Sequence, residues 1–223
     1  MFKNLINFWK GKGFLTQVLE EFKSMLDNSE EMFNSVCGKL IDNEGAPDLN
    51  DRIYSIDRKV NDIQRDIRKK IIEHLTLQPS VDVSASLLLM SVVKDAERLG
   101  DFSKNLLEVC KFFEKPINKQ NYSHLFGNID KEISDLFKET KKAFIDSDEN
   151  TALKTWEYKR EITKKSEDIL QKLAKGNLSV NEAVCFTLIA RYYKRIAAHL
   201  TNIATSVIVP LSDLDYFDER TQE

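Results

Sequence analysis

The chain has 223 residues, 42% of them hydrophobic and 31% charged, which is enough apolar mass for one large or two small packed domains. Its 33 Lys and Arg against 36 Asp and Glu leave a net charge of -3, without the basic excess that a nucleic-acid binder needs. Cys37, Cys110 and Cys185 stand far apart and form no Cys-x-x-Cys, so no disulfide framework is expected and a reducing compartment fits.

Residues 1–13 read as a leader. Phe2, Leu5, Ile6, Phe8, Trp9 and Phe14 alternate with Lys3, Lys10 and Lys12, a pattern that suits a basic amphipathic anchor for a membrane or transporter. The commoner fate of such a segment is to fold onto its own bundle. It lacks the continuous apolar core of a signal peptide, and no stretch approaches the roughly 20 apolar residues of a membrane span. A cytoplasmic protein is expected, with peripheral membrane association at most.

Beyond the leader, apolar residues recur at three- and four-residue intervals, and no stretch alternates like a strand. Leu15, Val18, Phe22, Met25, Phe33 and Val36 mark a helix at 14–37; Ile53, Ile56, Val60, Ile63, Ile67 and Ile71 mark one at 49–76. Further helices are expected at 83–114, 124–146, 149–174 and 180–208, the last carrying Val184, Leu188, Tyr192, Ile196, Leu200 and Ile203. Pro47, Pro79, Pro116 and Pro210 fall in the gaps, as do Gly38, Gly45, Gly127 and Gly176. Only Gly100 lies inside a helical pattern. Asp48 or Asn50, Asp82 and Asn181 are the expected N-caps. The fold class is all-α: three helices in an antiparallel bundle at 14–118, three more at 119–210, and an acidic tail at 211–223.

The second bundle repeats the first. Setting Arg98 against Arg195 aligns Glu97-Arg98-Leu99-Gly100-Asp101 with Lys194-Arg195-Ile196-Ala197-Ala198, so the two acids of the first copy become Lys194 and Ala198 in the second. Glu97 and Asp101 lie one turn apart on one helix face. If the second and third helices turn at Pro79, Asp101 comes level with Asp57 and Glu97 with Asn61. Three carboxylates and an amide then converge across the helix pair, an oxygen-rich set that suits a cation. Gly100 would let a neighbouring backbone come close. The same reflection near Gly176 sets Lys159 level with Ala198 and Thr163 level with Lys194, where the acids are gone. The plainer reading is a solvated acidic face in which Lys104 pairs with Asp101.

Glu97-Arg98-Leu99-Gly100-Asp101 resembles the Glu-Arg-Ile-Gly-Asp core of the PhoU family of phosphate-uptake regulators. The run from Tyr193 to Ala204 is similar to its second-repeat partner, with Thr201-Asn202-Ile203-Ala204 kept, and Asp57-Arg58-Lys59-Val60-Asn61 resembles the acidic middle-helix motif. The resemblance covers nearly all of 14–209 as architecture. It implies two tandem three-helix bundles and a non-enzymatic cytoplasmic regulator that contacts a phosphate ABC transporter and a sensor kinase, with room for a homodimer. Several members bind metal clusters through these acidic motifs. Carried over, the candidate ligands are Asp57, Glu97 and Asp101, with Asn61 replacing an acid. Such oxygen donors favour Fe, Mn, Mg or Ca over Zn, and only in the first bundle.

Other features read as structural. His199 beside the lost acid position is more often a satisfied histidine than a ligand, and His74 and His124 lie at helix ends. Trp156, Tyr158, Tyr192 and Tyr193 read as core or interface aromatics. None of the three histidines follows a glutamate by three residues, so a ferritin-like oxidase is excluded, and no phosphate-cradling loop or nucleophile motif occurs. The rival readings are a metal-binding helical protein and an accessory subunit of another phosphate carrier.

Overall fold

The structure is a computed structural model that describes residues 13–42, 45–215 and 217; residues 1–12 of the expected leader 1–13, and the tail residues Asp218 and Glu219, lie outside the described residues, while Gly13 begins the first helix. Among the described residues the regular elements are α1 (Gly13–Asp42), α2 (Leu49–Leu77), α3 (Val83–Val109), α4 (Lys119–Phe126), α5 (Ile129–Asp146), α6 (Glu149–Lys175) and α7 (Val180–Thr205). A short 3-10 turn, Leu211–Asp213, follows and touches α3. None of the described helices is long and apolar enough to cross a membrane.

Six of the seven helices correspond to the expected ones, with differences at their ends. The first runs on to Asp42, so Gly38 lies inside α1 and not in a gap. The third stops at Val109, and the fourth predicted helix is split, because Gly127 takes φ 58 between α4 and α5. A left-handed residue cannot continue a right-handed helix, and glycine adopts that conformation at no steric cost.

Capping also departs from expectation. Asp48 and Asp82 precede α2 and α3 without a side-chain cap bond; Asp82, at φ 57, turns its carboxylate to within 3.4 Å of His74 Nε2 instead. The cap of α7 is Ser179, whose hydroxyl accepts from the Glu182 N–H, while Asn181 joins the two repeats. Its Oδ1 accepts from the Glu114 N–H at 3.1 Å and its Nδ2 donates to the Phe112 carbonyl at 2.7 Å.

The helices α1, α2 and α3 pack on one another, as do α5, α6 and α7. The two bundles meet through α1 against α5 and α3 against α7, which leaves α2 and α6 on the outside. Both meetings are antiparallel. Phe22 lies against Phe144 and, three turns on, Asn34 accepts from Ser134. Along the other pair, Asp95 meets His199 and Phe102 meets Tyr192.

One apolar core runs through both bundles. Phe33 of α1 is fully buried against Phe137 of α5 and Tyr193 of α7, with ring centroids at 5.6 and 5.9 Å. Phe126, Phe186 and Phe113 extend the aromatic cluster towards the end of α3. The predicted stripe of α7 is buried at Ile196, Leu200 and Ile203, whereas Val184 is 52% exposed. Part of the acidic tail packs back on the helices: the 3-10 turn includes Asp213, and Phe217 packs edge-on against Trp156 at 5.5 Å.

Candidate functional site

One turn from each of two helices builds the acidic motif. Asp57 and Asn61 share one face of α2, and Glu97 and Asp101 share the facing side of α3, each pair one turn apart. The turn at Pro79 sets the register as the sequence predicts: a Cβ placed on Gly100 would lie 3.8 Å from Asp57 Oδ1. Gly100 does not, however, serve a close backbone approach. The three atoms nearest that Cβ all belong to side chains, Met32 Sδ of α1 at 3.7 Å, Asp57 Oδ1 at 3.8 Å and Met32 Cε at 3.9 Å, which are ordinary contact distances.

Two basic side chains of α3 occupy the space between the carboxylates. Lys104 Nζ donates to Asp57 Oδ2 at 3.0 Å and to Asp101 Oδ1 at 3.2 Å, bridging α2 and α3. Arg98 Nη1 donates to the other Asp101 oxygen, Oδ2, at 2.9 Å, and its Nε lies 3.7 Å from Glu97 Oε2. Asp57 is buried, and the Lys104 side chain is only 20% exposed, so this contact is shielded from water more than an ordinary surface ion pair. Burial opposes the ammonium charge, but the bonds to Asp57 and then Asp101 outweigh it and hold Lys104 above the usual lysine range. Burial, and next the Asp101 charge, pushes the Glu97 carboxyl up. One turn further along, Tyr54 of α2 donates to Glu108 of α3 at 3.0 Å.

The four residues nominated as ligands therefore come level but do not gather as a ligand set. Asp57 and Asp101 converge on an ammonium, Glu97 turns towards Arg98, and Asn61 is half-buried on the same face of α2. Among the described residues no group of three or more His, Cys, Asp or Glu side chains is arranged to hold a metal ion. The donor set does not fit a metal centre while Lys104 holds its place.

The second bundle carries a related contact in different residues. Lys194 of α7, at the position of Glu97, donates to Glu167 of α6 at 2.7 Å and pulls that carboxyl below its usual range. Thr163 Oγ1 is buried without a hydrogen-bond partner, and Ala198 has no donor atom to offer.

His199 is a structural histidine. Its Nδ1 lies 2.6 Å from Oδ1 of the buried Asp95, and its ring stacks on Phe102 at 5.6 Å. His74 likewise packs flat against Phe14 at 4.2 Å, and His124 is exposed in the last turn of α4.

One polar chain escaped the sequence reading. The Tyr122 and Tyr193 hydroxyls lie 2.9 Å apart, Tyr193 Oη is 3.7 Å from Cys37 Sγ, and Tyr122 donates to Asp130 at 3.4 Å. Burial raises all four groups above their usual ranges, which keeps the thiol and phenols neutral. Asp130 and Tyr122 line a cavity of about 350 Å³ together with Asn34, Gly38 and Asn128. The four residues of the chain come from α1, α4, α5 and α7, so no spacing along the sequence links them.

Comparison with known proteins bears on the whole architecture. The model of the PhoU domain family matches residues 22–110 and 129–207. The chain is 24% identical over 204 residues to the phosphate-specific transport system accessory protein PhoU homolog 1 of Thermotoga maritima, covering 86% of this chain and 79% of that protein. It is 23% identical over 170 residues to the PhoU homolog of Clostridium acetobutylicum, covering 70% and 74%. The crystal structure of PhoU from Pseudomonas aeruginosa superposes with a TM-score of 0.75 at 23% identity, covering 87% of this chain and 95% of that one. The phosphate transport system regulatory protein PhoU from Streptococcus pneumoniae gives 0.74 at 17% identity over the same shares. These structures share the all-α fold.

Proposed function

The chain belongs to the PhoU family, and on that premise we propose that it regulates phosphate uptake and phosphate-starvation signalling through protein contacts, without catalysis of its own. The observation that carries this reading is the family match on both helical repeats, 22–110 and 129–207. The curated relatives are named as accessory proteins of phosphate-specific transport systems, which supports a phosphate transporter as the partner here. The resemblance adds a sensor kinase as a second partner. With such a partner the protein is expected to work at the cytoplasmic face of the membrane, in peripheral association. The chemistry of such a regulator lies in its surfaces: one conformation binds the partner better than another and shifts its equilibrium by that difference.

Affinity capture of the tagged full chain from cells grown with and without phosphate tests this. Recovery of a phosphate ABC transporter or a sensor kinase is the expected result. Recovery of a different phosphate carrier instead would replace this reading with that of an accessory subunit of that carrier. Recovery of neither would overturn both.

A further inference from the structure

The acidic motif of the first bundle finds its cation within the chain. We propose that the Lys104 ammonium, and not a bound metal ion, is the resident counter-cation of Asp57 and Asp101, and that it closes a latent divalent-cation site which opens only when the lysine is removed.

Three observations carry it. First, Lys104 Nζ holds the bridging position, 3.0 Å from a carboxylate of α2 and 3.2 Å from one of α3, where a metal shared by the two helices would sit. Second, Arg98 takes the remaining oxygen of Asp101 at 2.9 Å, so both oxygens of that residue are already paired with cations of the chain. A divalent ion entering here would meet two fixed positive charges, and Asn61 supplies no charge to offset them. Third, the second bundle makes the same kind of connection, middle helix to last helix, with a lysine: Lys194 to Glu167 at 2.7 Å. That bundle has Lys159, Thr163, Lys194 and Ala198 at the ligand positions and cannot use a metal there. In each half a lysine joins the middle helix to the last, Lys104 through two shielded carboxylates and Lys194 through one more exposed glutamate. A lysine differs from a metal in a practical way: it cannot be removed by chelation or supplied by the medium.

Purified full-length protein, analysed for metal by plasma mass spectrometry and melted alone, with EDTA and with added Mn²⁺, tests the proposal. The wild type is expected to carry no stoichiometric metal and to melt at one temperature in all three conditions. Lys104→Met keeps the stem and removes the charge; it is expected to melt roughly 3–6 °C lower, because two carboxylates lose their partner. Added Mn²⁺ should restore that loss, and the recovery should vanish when Asp101→Asn is added. Metal at about one ion per chain in the wild type, lost in Asp101→Ala, would overturn the proposal. So would a Lys104→Met protein whose melting ignores Mn²⁺. If Lys104→Met does not fold, the metal content and EDTA response of the wild type decide alone.

Discussion

His199 Nδ1 lies 2.6 Å from Asp95 Oδ1, and this bond is the counterpart of an aromatic contact on the other side of the same joint. The repeat alignment that sets Arg98 against Arg195 also sets Asp95 against Tyr192 and Phe102 against His199. In the structure Phe102 and Tyr192 are in contact at 6.0 Å, and the residues aligned with them, His199 and Asp95, make the hydrogen bond. The α3–α7 joint therefore has the geometry of a two-fold contact between related halves, filled by rings on one side and by a polar pair on the other.

Breaking the polar half alone leaves a buried carboxylate without its partner. His199→Phe should lower stability by about 1–3 kcal/mol, the cost of an orphaned buried acceptor. Adding Asp95→Tyr restores an aromatic pair like that of Phe102 and Tyr192 and should recover part of the loss. Urea titration of the two variants checks this; a double variant no more stable than the single one would refute the two-fold reading.

Gly100→Ala should stabilise the protein. The added methyl meets Met32 and Asp57 at 3.7 and 3.8 Å, ordinary contact distances, and alanine is favoured over glycine in a helix by roughly 1 kcal/mol. Melting should rise by about 2–4 °C. A fall would restore the view that the glycine is needed for close approach.

The raised carboxyl of Glu97 makes a prediction about pH. Burial, and next Asp101, favours its protonated form in the folded chain, so the folded state holds more proton there than the unfolded state does. Stability from this group is fully present below the ordinary carboxylate range and is lost as pH rises through its raised value. Glu97→Gln removes the titration. Relative to the wild type, the variant should therefore gain stability as pH climbs from acid through that window. Denaturant titrations across that range check the sign, and a relative gain towards acid would contradict it.

Because one core joins the bundles through Phe33, Phe137 and Tyr193, the two repeats should unfold together. In a Trp9→Phe background, Trp156 fluorescence reports the second bundle while far-ultraviolet circular dichroism reports all helices. The two melts should coincide. Phe33→Ala should destabilise both at once by about 3–5 kcal/mol. Separate transitions would show that the repeats fold as independent units.

The helices, their antiparallel order and the repeat are legible in the sequence because each depends on local periodicity and on turn residues. The level of Asp57 with Asp101 is legible too, since a short turn at Pro79 leaves little freedom of register. What those carboxylates do was decided only in the tertiary structure. Their partners depend on side-chain direction across a helix pair: Lys104 stands three residues from Asp101 in sequence, yet its bridge to Asp57 exists only once α2 and α3 pack. Asp82 had the residue type and place of an N-cap but turned to His74, and Asn181 left the cap to Ser179 in order to join the bundles. Spacing along one helix shows which groups share a face. Which charge or ring fills the space opposite is set by packing between elements far apart in the chain, as Cys37, Tyr122, Asp130 and Tyr193 demonstrate.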